Sequence, residues 1–208
     1  MTDDGFFDDF DQVIFFGAGP CGYAACVYSV AAPGSTVVAL EPQATLDARI
    51  TEWDDRFTHM RRTDFSDRYG YAPDMLEAAK AAYVIYDPSD RLGAMHAALF
   101  QRSGVTRFRA RHLGGGMQAH LTQMDVLEPL MTEAASGTLD SFQFARHYRK
   151  RREHALYCKK LFSVLEEQER PVLAEAVCAY IVNGFGAPRY RRKLKAMRQA
   201  RTGEVDTD

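Results

Sequence analysis

The sequence predicts an α/β fold, with a short parallel sheet of about four strands followed by a C-terminal helical bundle. Four short apolar runs alternate with stretches of helical character in the N-terminal part of the chain. From Asp140 onward the pattern is helical throughout. The apolar fraction of 46% suits a packed core. Strands that alternate with helices favour a parallel sheet with right-handed crossovers.

The four apolar runs predict four strands, at Gln12–Phe16, Thr36–Leu40, Ala82–Tyr86 and Val105–Ala110. Each is short and rich in β-branched or aromatic residues, as buried strands are. The longest amphipathic stretch of this part, Gly116–Ala135, predicts one long helix after the last strand.

The C-terminal part predicts four helices, at Ser141–Arg152, Ala155–Glu169, Val172–Val182 and Arg189–Ala200. Their short connections indicate antiparallel hairpins. We therefore divide the chain into an α/β domain over residues 1–138, a helical region over 139–201 and a disordered tail over 202–208.

Charge is distributed unevenly along the chain. Residues 1–139 carry 11 Lys/Arg and 19 Asp/Glu, whereas residues 140–201 carry 15 Lys/Arg and 6 Asp/Glu. This asymmetry indicates either an acidic domain that docks on a basic one or a basic surface for an anionic partner. Dense basic runs at 146–152 and 189–195 are more typical of solvated helix faces, so nucleic acid is not the expected partner.

Several features indicate a cytoplasmic protein with no membrane segment. No apolar run approaches the ~20 residues of a membrane-spanning helix. The acidic first twelve residues lack the basic start of a secretory signal. The four cysteines form no CxxC pair and no metal-ligand spacing, which predicts reduced thiols and no metal.

The most informative motif lies in VIFFGAGPCGYAA, Val13–Ala25. Its GAGPCG portion fits G-x-G-x-x-G between a strand and a helix, and Glu41 ends the next strand. This resembles the dinucleotide-binding start of flavin-dependent oxidoreductases. The resemblance implies FAD or NAD(P) as cofactor, with Gly17, Gly19 and Gly22 beside the phosphates and Glu41 on a ribose.

The same residues also resemble the nucleophile elbow of bacterial α/β-hydrolases, G-x-S-M-G-G-Y-A-A. The similarity extends over roughly residues 12–135, because the later elements arrive in that fold's order. It implies an elbow tip at Gly19, an acid at Asp87 and a histidine near His112. Glycine offers no nucleophile, so the resemblance implies a degenerate hydrolase without hydrolase activity and without a cofactor. Backbone N–H groups at the helix start favour a small anionic ligand, with a protein partner as the alternative.

Cys21, two residues beyond the elbow tip, keeps a thiol hydrolase open as another hypothesis. Cys21 would be the nucleophile, with His112 as base and Asp87 as acid. Each residue also has a structural interpretation. Cys21 suits a first helical turn, Asp87 before Pro88 suits a helix cap, and His112 suits a loop.

The whole chain further resembles a group of bacterial proteins that carry the name phosphoadenosine phosphosulfate reductase. That enzyme family uses an S-G-G-x-D-S phosphate loop and a cysteine in E-C-G-x-H, and this chain has neither motif. Cys158 and Cys178 fall instead within predicted helices, which is typical of buried structural thiols.

The hydrolase resemblance covers only the C-terminal half of that fold, so the first strand lacks its outer neighbour. An uncovered apolar strand edge promotes association. The sequence therefore predicts either a homodimer through this edge or a truncated N-terminal part.

Overall fold

A computed structural model of the chain describes the backbone of residues 5–205 and the side chains of residues 5–201. It confirms the α/β class, because a four-stranded parallel sheet with helices precedes a set of C-terminal helices. The chain divides into two compact units, residues 1–148 and residues 149–208. The domain boundary predicted from the sequence, after residue 138, lies within the first unit. The predicted disordered tail needs a correction, because residues 202–205 belong to the last helix, whereas residues 206–208 lie outside the described residues.

The sheet is built from the four predicted apolar runs. Its strands are β1 Ile14–Ala18, β2 Thr36–Leu40, β3 Ala81–Tyr86 and β4 Val105–Arg109. They lie in the order β1-β2-β3-β4, and every neighbouring pair is parallel. Every residue of β2 is buried, as expected for a central strand covered on both faces.

Seven helices belong to the first unit: α1 Pro20–Tyr28, α2 Ala48–Thr51, α3 Ala72–Met75, α4 Arg91–Leu99, α5 Met117–Gln123, α6 Leu127–Ser136 and α7 Ser141–Tyr148. The second unit contains α8 Ala155–Glu167, α9 Pro171–Phe185 and α10 Pro188–Val205. Short 3₁₀ turns lie at Phe6–Asp9, Ser29–Ala31, Thr58–Arg62, Leu76–Ala78 and Arg149–Glu153. Among the described residues, no helix is long and apolar enough to cross a membrane.

The first strand lies two residues later than the sequence predicted. Gly17 and Ala18 still pair with Ala39 and Leu40 of β2, so the strand continues through the first glycine of the motif. The connection to α1 is therefore the single residue Gly19. This shift decides how the glycine-rich motif is interpreted.

The prediction of one long helix over Gly116–Ala135 was wrong, because the helix is interrupted between α5 and α6. Asp125 adopts a φ of 52°. The Asp125 and Val126 amides donate to the carbonyls of Thr122 and Leu121 at 2.9 Å each. This is the Schellman arrangement that ends helices, here with aspartate where glycine is usual.

Other predicted helix ends need smaller corrections. The predicted helix Ser141–Arg152 ends as an α-helix at Tyr148 and continues as the 3₁₀ turn Arg149–Glu153, where the two units meet in sequence. Glu169, at a φ of 53°, closes α8 in the same way as Asp125 closes α5. Pro171 begins α9, since the first helical position needs no N–H.

A column of stacked rings holds α7 on β3 and β4. The rings of Tyr83 and Phe108 have centroids 5.8 Å apart, and those of Phe108 and Phe144 lie 4.7 Å apart. Tyr148 continues the column at 5.5 Å from Phe144 and donates its hydroxyl to the Arg111 carbonyl at 3.0 Å. The column therefore explains why α7 packs with the first unit.

The second unit has its own core. Phe162 of α8, Ile181 of α9 and Leu194 of α10 are buried in one cluster, together with Cys158 and Cys178. Ion pairs connect the same helices on the surface, between Lys193 and Glu166 and from Arg198 and Arg201 to Glu175. The cysteines of this unit thus serve packing, as the sequence indicated.

Candidate functional site at the carboxyl edge of the sheet

The carboxyl edge of the sheet gathers the residues that the sequence singled out. Gly19, Glu41 and Asp87 each directly follow a strand, β1, β2 and β3 respectively. His112 lies in the loop after β4. Ligand sites of open parallel sheets lie at this edge, so we take it as the candidate site.

The turn between β1 and α1 consists of a single residue. Gly19 adopts φ 55° and ψ −123° and is its only residue. Its amide donates to the Leu40 carbonyl at 2.8 Å, and its carbonyl accepts from the Tyr23 amide at 3.1 Å. A sharp, strained turn of this kind is what presents the nucleophile in the α/β-hydrolase elbow.

Small residues on both sides make the turn sterically feasible. A Cβ at Gly17 would lie 2.1 Å from the carbonyl oxygen of Cys21, so no larger residue fits there. A Cβ at Gly22 would lie 3.2 Å from the carbonyl oxygen of Gly17. A Cβ at Gly19 would meet no atom within 4 Å. The tip of the turn could therefore carry a side chain, but this sequence places none there.

Pro20 lacks a second group that a hydrolase elbow requires, and sequence reasoning missed this. In the hydrolase elbow, the N–H of the residue after the nucleophile donates to the oxyanion. Pro20 occupies that position and has no N–H. The signal was visible in the sequence, as a proline next to the glycine at the predicted tip. The turn thus lacks both a nucleophile and one of its oxyanion donors.

Cys21 lies in the first turn of α1, beyond the tip. Its side chain is exposed, whereas Cys26, Cys158 and Cys178 are buried, and all four thiols are free. Burial raises the pKa of Cys26 to about 12, which leaves that thiol unreactive. Cys21 is therefore the accessible thiol of the site, although the sharp turn presents Gly19 instead.

Asp87 connects the loops that follow β3 and β4. Its carboxylate accepts hydrogen bonds from the amides of Ser89 at 2.8 Å, His112 at 3.0 Å and Gly114 at 2.7 Å. Burial raises the pKa of Asp87, but these hydrogen bonds outweigh burial and hold the pKa below its usual value. The contact with His112 is made to its backbone, so Asp87 positions the loop that carries this histidine.

The His112 ring contacts a residue that the sequence did not single out. Its Nδ1 lies 3.0 Å from the Oγ of Ser89, and its backbone is held at a φ of 64°. The structure thus brings Asp87, Ser89 and His112 together at the ends of β3 and β4. Cys21 belongs to the opposite end of the strand order, beside β1. Ser89 and His112 come together only in the tertiary fold. The position of Ser89 after Asp87 and Pro88 does not indicate this contact in the sequence.

Glu41, the predicted ribose ligand, directly follows β2 with a φ of 48°. Its amide donates to the Ile85 carbonyl of β3 at 2.8 Å, which extends the sheet by one hydrogen bond. Backbone with positive φ thus occurs at or shortly after the ends of three of the four strands, at Gly19, Glu41 and His112. Strained backbone of this kind is enriched at functional sites.

A buried histidine beneath this edge was also missed by the sequence analysis. His96 of α4 accepts the Ala44 amide at Nδ1, 3.2 Å away, so its Nε2 carries the proton and donates to Asp54 at 2.8 Å. Arg56 donates to the same carboxylate at 2.9 Å. These hydrogen bonds hold the chain on both sides of α2, at Ala44 before it and at Asp54 after it. The Trp53 ring packs on His96, with ring centroids 4.7 Å apart.

Charge states in this network follow from its hydrogen bonds. Burial raises the pKa of Asp54, but hydrogen bonds from Arg56 and His96 outweigh it and lower the pKa well below its usual value. Burial lowers the pKa of His96, although its bond to Asp54 acts in the opposite direction. A neutral His96 therefore donates to an ionised Asp54.

The strand order differs from that of a dinucleotide-binding sheet. Dinucleotides bind where the strand order reverses, with the first strand in the interior of the sheet. Here β1 is terminal in β1-β2-β3-β4, and among the described residues no strand pairs with its other side.

Comparison with known proteins adds no family to this description. No protein-family model, no curated protein and no solved structure matches the chain. Within residues 5–205, no group of three or more His, Cys, Asp or Glu residues could hold a metal ion.

Proposed function

We propose that this protein is a degenerate α/β-hydrolase-like protein, which binds a ligand or partner and does not hydrolyse a substrate. The observation that carries the proposal is the turn at Gly19. It keeps the backbone of a nucleophile elbow, but Gly19 supplies no nucleophile and Pro20 supplies no oxyanion N–H. Losing both groups leaves little of the catalysis that such a site performs.

A small anion at the start of α1 is one candidate ligand. The N-terminus of this nine-residue helix carries partial positive charge, and Cys21 and Gly22 have N–H groups in its first turn. Pro20 removes one donor from the same turn, which weakens any such site. We therefore expect weak anion binding at most.

A protein partner is the other candidate, and the edge of β1 favours a second copy of the chain. Among the described residues, β1 and β4 are the terminal strands of the sheet. The β4 edge strand carries Arg107 and Arg109, charges that discourage edge-to-edge pairing, whereas β1 reads IFFGA and has no charge. We infer a cytoplasmic location as well, because four free thiols fit a reducing compartment.

Three measurements on the purified protein separate the proposal from its alternatives. An absorbance spectrum and a thermal-shift series with FAD, NAD⁺ and NADP⁺ test the oxidoreductase, for which we expect neither colour nor a shift. Turnover of an activated ester tests the thiol hydrolase, for which we expect none above background. Ester turnover that iodoacetamide abolishes would overturn the proposal and favour a thiol hydrolase with Cys21 as nucleophile.

The β1 edge is tested separately by sedimentation velocity over a range of concentrations. We expect Ile14→Lys in β1 to weaken dimer formation, since it places a charge on the pairing edge. Thr106→Lys in β4 is the matched control and should leave the association unchanged. A monomeric wild-type protein at every concentration would contradict pairing through β1.

A further inference from the structure

The second unit exposes an apolar helix face. One side of α9 is buried in the core through Ala174, Cys178 and Ile181. The opposite side carries Val172 and Tyr180, with exposed fractions of 69% and 49%. A helix that is apolar all round normally has both sides covered. This face of α9 therefore has the character of a contact surface.

A groove of about 320 Å³ lies between α8 and this side of α9. Its floor is apolar, and one end is basic, because the Arg151 guanidinium lies 5.7 Å from the centre of the Tyr157 ring and Arg152 is exposed. We call the following residues the groove: Arg151, Arg152, Tyr157, Leu161, Val177 and Tyr180.

The N-terminal segment of the first unit has the complementary character. Phe6 and Phe10 are 49% and 53% exposed, and their ring centroids lie 5.5 Å apart. Phe7 packs on Phe15 of β1 at 5.9 Å and so anchors the 3₁₀ turn beneath them. Exposed carboxylates flank the two rings. We call this set the knob: Phe6, Asp8, Asp9, Phe10 and Asp11.

Charge supports a contact between the two surfaces. Residues 149–201 contain 14 Lys/Arg and 5 Asp/Glu, which is a net charge of +9. Residues 5–12 contain three Asp and no Lys or Arg. Opposite potentials of this kind steer association and fix its register. An acidic aromatic segment is thus the occupant whose chemistry fits the groove, and the chain itself carries such a segment.

We propose that the knob of one copy binds in the groove of a second copy. Phe6 and Phe10 cover the apolar floor between α8 and α9, and the aspartates face Arg151 and Arg152. The contact joins two different surfaces, so it is either made twice in a reciprocal two-fold dimer or repeated in a ring or an open chain of copies. It goes beyond the proposed function, since it uses neither the carboxyl edge nor β1 pairing.

Charge reversal tests this contact, with sedimentation velocity of the full chain as the measurement. One variant combines Asp8→Lys with Asp9→Lys, and the other combines Arg151→Glu with Arg152→Glu. We expect each variant alone to associate at least about tenfold more weakly than wild type, because two contacts become repulsive. Mixing the two variants should restore association, since each then meets a partner surface of opposite charge.

Two controls keep the test specific. Arg191→Glu with Arg192→Glu reverses two exposed charges on α10 outside the groove and should leave association at the wild-type level. Circular dichroism should show that every variant is folded. Association of wild type should weaken as salt is raised from about 0.05 M to about 0.5 M, because exposed charges are screened.

The outcomes also separate this contact from β1 pairing. Association that is lost with Ile14→Lys but unaffected by either knob or groove reversal would overturn the knob contact and leave the edge dimer. If a mixture of the knob and groove variants associates as weakly as either variant alone, the knob contact is overturned as well. A wild-type monomer at all concentrations would overturn both forms of self-association while leaving the missing catalytic groups unaffected.

Discussion

At the scale of single residues, the proposed absence of hydrolysis depends on Gly19 and Pro20. A nucleophile elbow needs a strained tip residue that carries the nucleophile and a following N–H that stabilises the oxyanion. Gly19 retains the strained backbone, with φ 55°, but has no side chain. Pro20 adopts helical backbone at the next position without an N–H. The turn thus has the sharp backbone of an elbow and neither of these two chemical groups.

We expect Gly19→Ser to fold but not to hydrolyse esters. A Cβ there would meet no atom within 4 Å, so the cost is limited to about 1–3 kcal/mol for a left-handed non-glycine residue. The new hydroxyl would still lack the oxyanion donor at Pro20. Thermal unfolding and p-nitrophenyl acetate turnover check both statements. Turnover by Gly19→Ser above the wild-type rate would contradict the role assigned to Pro20.

Gly17→Ala should destabilise the first unit severely. The added Cβ would lie 2.1 Å from the Cys21 carbonyl, and neither backbone can move without disrupting β1 or α1. We expect a loss of about 3 kcal/mol or more in urea unfolding. Gly115→Ala is the matched control, because a Cβ at Gly115 meets nothing within 4 Å. Equal free energies of unfolding for the two variants would contradict the steric clash expected at Gly17.

His96 makes stability depend on pH. Burial lowers its pKa below 6.5 in the folded chain, so the unfolded chain binds this proton at higher pH. The free energy of unfolding should therefore decrease as the pH falls below about 6.5. A second decrease should begin below about 3.9, where Asp54 and Asp87 become protonated in the unfolded chain while their lowered pKa values keep them ionised in the folded chain.

Urea unfolding as a function of pH checks this dependence. His96→Gln should cost about 2 kcal/mol at neutral pH, because the imidazole that accepts from Ala44 and donates to Asp54 is lost, and should remove the first decrease. The exposed His59→Gln is the control and should keep the full pH profile. A profile that is the same in His96→Gln and wild type would show that another group titrates in this range.

At the scale of elements, Asp87 joins the β3–α4 and β4–α5 connections. Asp87→Asn replaces one acceptor oxygen with an amide group that cannot accept the N–H bonds now made. We expect a loss of about 2 kcal/mol and faster hydrogen exchange in both connections. Asp90→Asn is the matched control, since Asp90 precedes α4 without a capping hydrogen bond. Faster exchange in only one connection would contradict the bridging role.

Much of the architecture could be predicted from the sequence, because buried parallel strands appear as short apolar runs. The strand Thr36–Leu40 lies where it was predicted, and the switch to helices after Asp140 was also correct. The interruption between α5 and α6 could not be predicted. Asp125 ends α5 in a left-handed conformation that usually requires glycine or asparagine, so the sequence reads as a continuous helix.

The candidate site was only partly visible in the sequence. Gly19, Glu41 and Asp87 follow apolar runs, so their positions at the strand ends followed from parallel topology. The contact between Ser89 and His112 depends on how two loops fold over Asp87. The pairing of Asp54 with His96 joins residues 42 positions apart. Contacts of this kind arise from tertiary structure and have no local sequence pattern.

At the scale of the whole molecule, the chain consists of two compact units with separate cores. Phe100 is fully buried in the first unit, and Phe162 is buried in the second. We expect Phe162→Ala to cost about 3–5 kcal/mol and to accelerate hydrogen exchange in α8, α9 and α10 only. Phe100→Ala should cost a similar free energy and accelerate hydrogen exchange within the first unit only. Acceleration across both units by either variant would contradict separate cores.

The central claim is that the chain keeps the elbow but has lost hydrolysis. The most direct test is the rate of p-nitrophenyl acetate hydrolysis by wild type, Cys21→Ala and Ser89→Ala at equal concentration. We predict one common rate, equal to that of the buffer with an inert protein, because neither residue acts as a nucleophile. Turnover by wild type that Cys21→Ala or Ser89→Ala abolishes would contradict the claim and identify the nucleophile.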